Sequence, residues 1–442
     1  MSSVDLAGAR GLLRPAKPRA ALRLGDRLNV LDRARTPVVF AAAAVALLPL
    51  LRPGGPGATA PVDLLIAFAL AACVFWGVNS EERWHFPYAF AMFLFLGGGV
   101  VGALAGPVPV AGITALIQDV FLLTWCWAVL NICISTSNMR ILLRTWAYSS
   151  IVWASLLFLG LATGTTALTG RSSNEAGRTM LTFGSPNVAA NYLFISVMVI
   201  WATGHPRRRL FRFAGYGLLV AALISTGSNS GILSLLIGVA IAALLGVYRR
   251  AGTIATVTTL CFLLLGGYAV AATLSVKSIQ DRAHYSRYAF IRDGIGRQAE
   301  SVAQRGSILH ESIHLYRVGG PLGAGPVSTK ARLRAEQAPF VKEAHDDYFA
   351  ALNERGVLGF LGLALLLGGV MLRALSILKK PVATRELPMD LVRPNAIVGA
   401  IAGTLVAMAL SELLHDRHVW ALFAFVAALA LRRRQWHSSE PS

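Results

Sequence analysis

Twelve apolar runs recur along this chain, near 37–52, 61–78, 87–105, 110–134, 145–165, 187–204, 213–226, 231–248, 253–275, 350–373, 393–411 and 418–431. A helix crossing the hydrocarbon core of a bilayer needs about 20 mostly apolar residues, or about 17 at the short end. The first, seventh and last runs are shorter than that. Charged residues make up only 14% of the chain, where a soluble domain carries about a quarter. The expected fold is therefore all-α: a polytopic membrane helical bundle of about twelve transmembrane helices.

A formal net charge of +19 raises the question of nucleic acid. The positions of the basic residues answer it, because most lie in short segments between apolar runs, where charge sets membrane topology. With the N-terminus inside, the even-numbered connections carry "NSEERWHF", Arg140 and Arg144, "HPRRRLFR", Arg249 and Arg250, and the stretch from Arg373 to Arg393; the C-terminus adds Arg432, Arg433 and Arg434. Five of these six are basic, so the pattern favours an even number of spans with both termini cytoplasmic. The tail before the first run is basic as well, and no small-residue cleavage site follows it, so that run is read as an uncleaved span.

This orientation divides the chain into a cytoplasmic tail (1–36), nine spans (37–275), a large extracytoplasmic and partly helical loop (276–349), three spans (350–431) and a cytoplasmic tail (432–442). Within the loop, 280–318 and 328–352 read as helical, separated by the turn-rich "GGPLGAGP". The other outward segments are "GRSSNEAGRTMLTFGSPN" (170–187), "STGSNSG" (225–231) and "ELLHDRH" (412–418). The cysteines, Cys73, Cys126, Cys133 and Cys261, all fall in apolar runs without metal-ligand spacing, and read as small core residues.

Chemistry is sought on the outward face. Arg282, Arg287 and Arg305 lie in the loop, and guanidinium forks match phosphate oxygens bidentately. His345, just before the tenth run, is the side chain suited to take a proton near neutral pH, with Asp346 and Asp347 placed to orient it. Glu354 lies at the start of that run, in reach of a cap or a pairing role. Pro186 is pre-organised for an early helical position, and Arg178 and Asn187 flank it. Asp119, inside the fourth run, demands a partner, and an Arg or a neighbouring amide would serve. The chain has no Walker loop, HExxH, GxSxG, CxxC or DxD pattern. No metal and no cofactor is implied, and an outward glycosyltransferase would need a lipid-linked donor.

The ordered outward signatures resemble those of the O-antigen ligase and O-antigen polymerase superfamily. "RTMLTFGSPNVAANYL" is similar to the family's Arg-x-x-x-x-Phe-x-x-Pro-Asn segment. "STGSNSGILSL" looks like its Thr-x-Ser-Arg turn. "QRGSILHESIHLYRVGGPLGAGP" resembles its loop helix followed by Pro-x-x-Gly-x-Gly. "AHDDYFAALNERGVLGFLG" is similar to its His-Asn and Glu-x-Gly-x-x-Gly pair. The resemblance covers roughly 170–431. It implies that His345 is the catalytic His, that Arg305 engages donor phosphate, and that Arg178 and Asn187 belong to the earlier outward motif. The chain departs from the pattern at Asn229, where the family often has Arg, and at Asp346, where it has Asn. Either the donor site is one charge short or Arg282 or Arg287 makes up the difference.

The implied activity is metal-independent, inverting transfer of a glycan from polyprenyl (undecaprenyl) pyrophosphate to an acceptor glycan or glycolipid, at the outer face of the cell inner membrane. Ligase and polymerase differ only in acceptor and are not distinguished. A polytopic transporter or lipid-linked glycan flippase is the alternative, but its polar groups would lie at the midplane, whereas here they cluster outside.

Overall fold

The computed structural model describes residues 24–50, 60–79, 84–170, 178–273, 281–287, 292, 300–338, 341, 346–378 and 391–438. Along these the helices are α1 (Leu24–Ala46), α2 (Pro61–Val78), α3 (Ala89–Ala105), α4 (Pro109–Cys133), α5 (Thr136–Thr163), α6 (Thr166–Thr169), α7 (Pro186–Thr203), α8 (Arg209–Ser225) and α9 (Asn229–Thr273). They continue with α10 (Glu300–Gly319), α11 (Thr329–Ala335), α12 (Asp347–Ser376), α13 (Asn395–Met408) and α14 (Arg417–Ser438). No strand occurs among the described residues. Each of the twelve apolar runs falls on a helix. Six helices are long and apolar enough to cross a bilayer, with shorter apolar helices beside them. The protein is an all-α polytopic membrane protein.

Proline at the first helical position opens α2, α4 and α7, where its missing N–H forfeits no bond. Two helices form the centre. The side chains of α7 are buried almost all round, and those from Val419 to Ala428 in α14 are buried without exception. A helix apolar on every side belongs in such an interior. The outer helices turn Phe, Leu and Ile outward, including Phe75 on α2, Phe93 on α3 and Phe213 on α8, as a lipid environment permits.

Close approach of the helices depends on small residues. A methyl group at Gly98 of α3 would lie 2.5 Å from the Arg355 carbonyl and from the Gly359 nitrogen of α12. On α13, Gly399 faces the Gly238 carbonyl of α9, and a Cβ at Gly403 would come 2.5 Å from the Ser234 carbonyl. With no hydrophobic drive between helices in lipid, such backbone contact supplies the van der Waals packing that holds them together.

The structure also departs from the sequence expectation in places. The eighth and ninth runs lie within α9 as two helical segments that meet at the non-helical Gly252 (φ 78°). The first span is shorter than expected: α1 ends at Ala46, and the Pro49 carbonyl accepts a hydrogen bond from Thr182. Residues 328–352 are not one helix, since α11 ends at Ala335 and a new start follows at Asp347. Cys261 is exposed, with no packing partner for its face of α9 among the described residues, while the other three cysteines are buried.

Candidate functional site

Two of the polar segments singled out in the sequence meet at one end of the bundle. Arg178, just before α7, is buried; its Nε donates to the Thr226 carbonyl at 2.8 Å and its Nη2 reaches Asn187 Oδ1 at 3.4 Å. Ser228 Oγ donates to the same Asn187 oxygen at 2.8 Å, and Thr179 and Ser225 share a hydroxyl contact of 2.8 Å. The chain of hydroxyls runs on from Ser228 to Ser230 (2.9 Å) and from Ser230 to Ser411 beyond α13 (3.4 Å). Asn229 starts α9 with its side chain exposed.

The loop's glycine-rich segment and the start of α12 form a second joint. Gly356 interrupts α12 with φ 65°, and Gly323 opposite it has φ 77°. Both conformations are open to glycine and costly for other residues. The bend lets the loop pair with α12 by backbone: the Ala324 amide donates to the Asn353 carbonyl at 3.0 Å, Gly325 to Glu354 at 2.8 Å, and Val357 to the Pro321 carbonyl at 2.9 Å. Glu354 does not cap its own helix. Its carboxylate takes the Val327 amide at 2.9 Å and the Thr329 hydroxyl at 2.6 Å, so it caps α11. Asn353 Nδ2 ties α10 in through the Ser312 carbonyl at 3.0 Å.

Asp346 and Asp347 divide their work at the N-terminus of α12. Asp346 accepts from the amides of Tyr348 (2.7 Å) and Phe349 (3.2 Å) as a helix cap,. Asp347, buried, accepts from the amides of Leu413 (2.8 Å) and Leu414 (3.2 Å) in the segment between α13 and α14. That segment carries His415, whose Nδ1 lies 3.5 Å from Asp119 Oδ1. The other Asp119 oxygen is 2.6 Å from Arg355 Nη2, with both side chains buried, and the Arg355 guanidinium lies 4.0 Å from the Phe95 ring centroid. Nearby, Arg417 grips Asp63 of α2 at 2.6 and 2.9 Å.

Two groups in this segment titrate away from their ordinary ranges. Burial alone would lower the His415 imidazole, but the hydrogen bond and charge of Asp119 outweigh it and push it up to about 9. Burial raises the Asp416 carboxyl to about 7, against the lowering pull of Arg417 and His415. The His415 side chain is 40% exposed. The arrangement thus offers a partly exposed cation held from behind by a buried carboxylate, with a second group raised toward neutrality,.

The structure brings Arg178, Asn187, Asp346, Asp347 and Glu354 to this end. Arg282 and Arg287 lie exposed in the short stretch 281–287. Arg305 is on α10, with its side chain outside the described residues; His345 also lies outside them. Sequence reasoning left His415 and Arg355 off the site and read Asp119 as a structural group. One signal was in reach: a carboxylate within an apolar run requires a cation, and "NERG" places one early in another run. No group of His, Cys, Asp and Glu suited to a metal ion occurs among the described residues.

Residues 214–364 match the family described as O-antigen ligase. The match takes in the turn after α8, all of α9, the loop and the first part of α12. No curated protein matches the chain.

Proposed function

We infer that this chain, which carries an O-antigen ligase domain over residues 214–364, transfers a glycan from a polyprenyl-pyrophosphate carrier to an acceptor sugar hydroxyl. The domain ties it to a family of membrane-bound, lipid-linked glycan transferases. The observation that supports the finer reading is convergence: Asn187 and Ser228 join the 178–187 segment to the 225–231 turn, Glu354 joins the 320–329 loop to the start of α12, and the 411–414 segment bridges the two pairs through Ser411 and Asp347.

In this reading that end faces away from the cytoplasm across the inner membrane, with residues 276–349 over it and both termini inside. The carrier's tail lies in the bilayer. Arg305, with Arg282 and Arg287 from the loop and Arg178 at the Asn187 edge, binds the pyrophosphate and stabilises the charge it gains on leaving. His345 accepts the proton of the acceptor hydroxyl. The oxygen forms its bond to the anomeric carbon as the bond to phosphate breaks, the electron pair departs with the polyprenyl pyrophosphate, and the configuration inverts. Guanidinium charge fills the electrophilic role that a metal fills elsewhere.

The test is transfer in reconstituted vesicles with a lipid-linked donor. His345→Ala abolishes transfer while inserted protein still retains donor, and Arg305→Lys loses most turnover, because a point charge does not copy the guanidinium fork. Near-normal transfer by His345→Ala overturns the assignment. The length of glycan stranded on the carrier in a deletion strain separates the two acceptors: single units indicate a polymerase and full chains a ligase.

A further inference from the structure

At the opposite end of the bundle, five arginines from four parts of the chain converge on one cavity of about 470 Å³. Arg140 and Arg144 come from the start of α5, Arg207 from the α7–α8 turn, Arg212 from α8, and Arg393 from the segment before α13. His205 completes the wall, and no carboxylate among the described residues lines it. A second cavity of about 580 Å³ shares Trp201, Val392 and Arg393 with the first and adds Arg249 and Arg250.

Topology alone asks only that basic residues be numerous on the cytoplasmic side. It does not ask that they face one another. Here neutral partners hold two of them in place: Arg144 Nε donates to His205 Nε2 at 3.1 Å, and Arg212 Nη1 to the Gly204 carbonyl at 2.8 Å. The His205 ring is therefore neutral and accepting at Nε2, with its proton on Nδ1, which is buried without a partner among the described residues. Burial lowers its protonation further, as do Arg144, Arg207, Arg140 and Arg212, so the field in the cavity is positive from several sides. Guanidinium groups gathered at the ends of the apolar helices, beside Trp201, match the phosphate of a lipid headgroup,.

We propose that this cavity is a binding site for a phosphate anion, in the form of an anionic phospholipid headgroup or a free phosphate, held by Arg144, Arg207, Arg212 and Arg393 at the end of the bundle remote from the candidate transfer site. It stands independently of the transferase reading.

The test uses the full chain purified in detergent, with lipid retention read by native mass spectrometry and melting temperature read in parallel. Added cardiolipin or phosphatidylglycerol is retained and raises the melting temperature, whereas phosphatidylcholine does neither. Arg207→Gln with Arg393→Gln, both exposed side chains, weakens retention roughly tenfold or more. Arg208→Gln with Arg209→Gln removes the same charge outside the cavity and leaves retention unchanged. Arg207→Gln alone, read by the same retention, serves if the pair is not monodisperse. Stabilisation by millimolar inorganic phosphate with the same dependence on Arg207 and Arg393 also supports the site and assigns it to a soluble anion. Equal losses in both pairs, or no response to either anionic lipid or phosphate, overturn the proposal.

Discussion

Arg355 and Asp119, 236 residues apart in sequence, form an ion pair of 2.6 Å within the apolar body of the bundle. The pair joins α12 to α4, and through the second Asp119 oxygen it extends to His415 at the head of α14. Three helices that meet through lipid-compatible surfaces elsewhere are held here by charge.

Removing one partner leaves the other buried and unpaired. Asp119→Ala is expected to destabilise the protein by about 3–5 kcal/mol, while Asp119→Ala combined with Arg355→Met recovers most of the loss. Thermal unfolding of the three variants in detergent measures both effects. Equal destabilisation in the single and double variants would remove the pair from the account of stability.

The His415–Asp119 contact predicts a pH dependence. The folded imidazole titrates at about 9 against an ordinary value of about 6.5, so its contribution is fully present below 6.5 and is lost as pH rises through 9. Wild type should therefore lose its margin over His415→Gln across that window. Asp416, raised to about 7, acts lower: its carboxyl prefers to stay protonated in the fold, so stability falls as pH rises from about 4 toward 7. A margin over His415→Gln that stays flat from pH 6 to 10 would argue against an imidazolium held by Asp119.

Gly356→Ala tests the joint between the loop and α12. The position has φ 65°, and a methyl group there would run into the Pro321 carbonyl and into Leu322. A loss of about 1–3 kcal/mol from backbone strain is expected, with steric overlap adding to it. Hydrogen exchange should quicken at the Ala324 and Gly325 amides. Gly266→Ala, where the new methyl meets nothing within 4 Å beyond its own stretch of helix among the described residues, is the control and should leave those amides protected.

Asn229, where the chain departs from the O-antigen ligase pattern it resembles, is exposed at the head of α9. If the transferase reading holds, Asn229→Arg lowers the donor concentration needed for half-maximal transfer by roughly fivefold, since a charge-assisted contact contributes about 1 kcal/mol or more. Titration of a lipid-linked donor in vesicles reads this directly. An unchanged or raised KM would separate this position from the pyrophosphate.

Much of the fold was legible because apolar length is a local property: a run such as 187–204 announces a span without reference to anything distant. The meeting of Arg178 and Asn187 with the 225–231 turn was legible for a similar reason, since both segments border one adjacent pair of spans. The Asp119–Arg355 pair was not, because its partners depend on which helices become neighbours, and neither flanking sequence records that choice. Glu354 was read as a capping or pairing group near the start of its run, but that it caps α11 was not legible, because the relation is created only when Gly356 bends the chain. Cys261 was assigned to the interior from its apolar surroundings, but an apolar sequence does not say whether a helix faces protein or lipid.

The two facing glycines also bear on traffic. Residues 321–329 are stitched to the first turns of α12 by backbone and Glu354 hydrogen bonds, and α3 approaches that helix backbone to backbone at Gly98, so lifting this part of the insertion would break all of these contacts together. On the transferase reading, a donor whose tail stays in the bilayer would enter between helices other than α3 and α12.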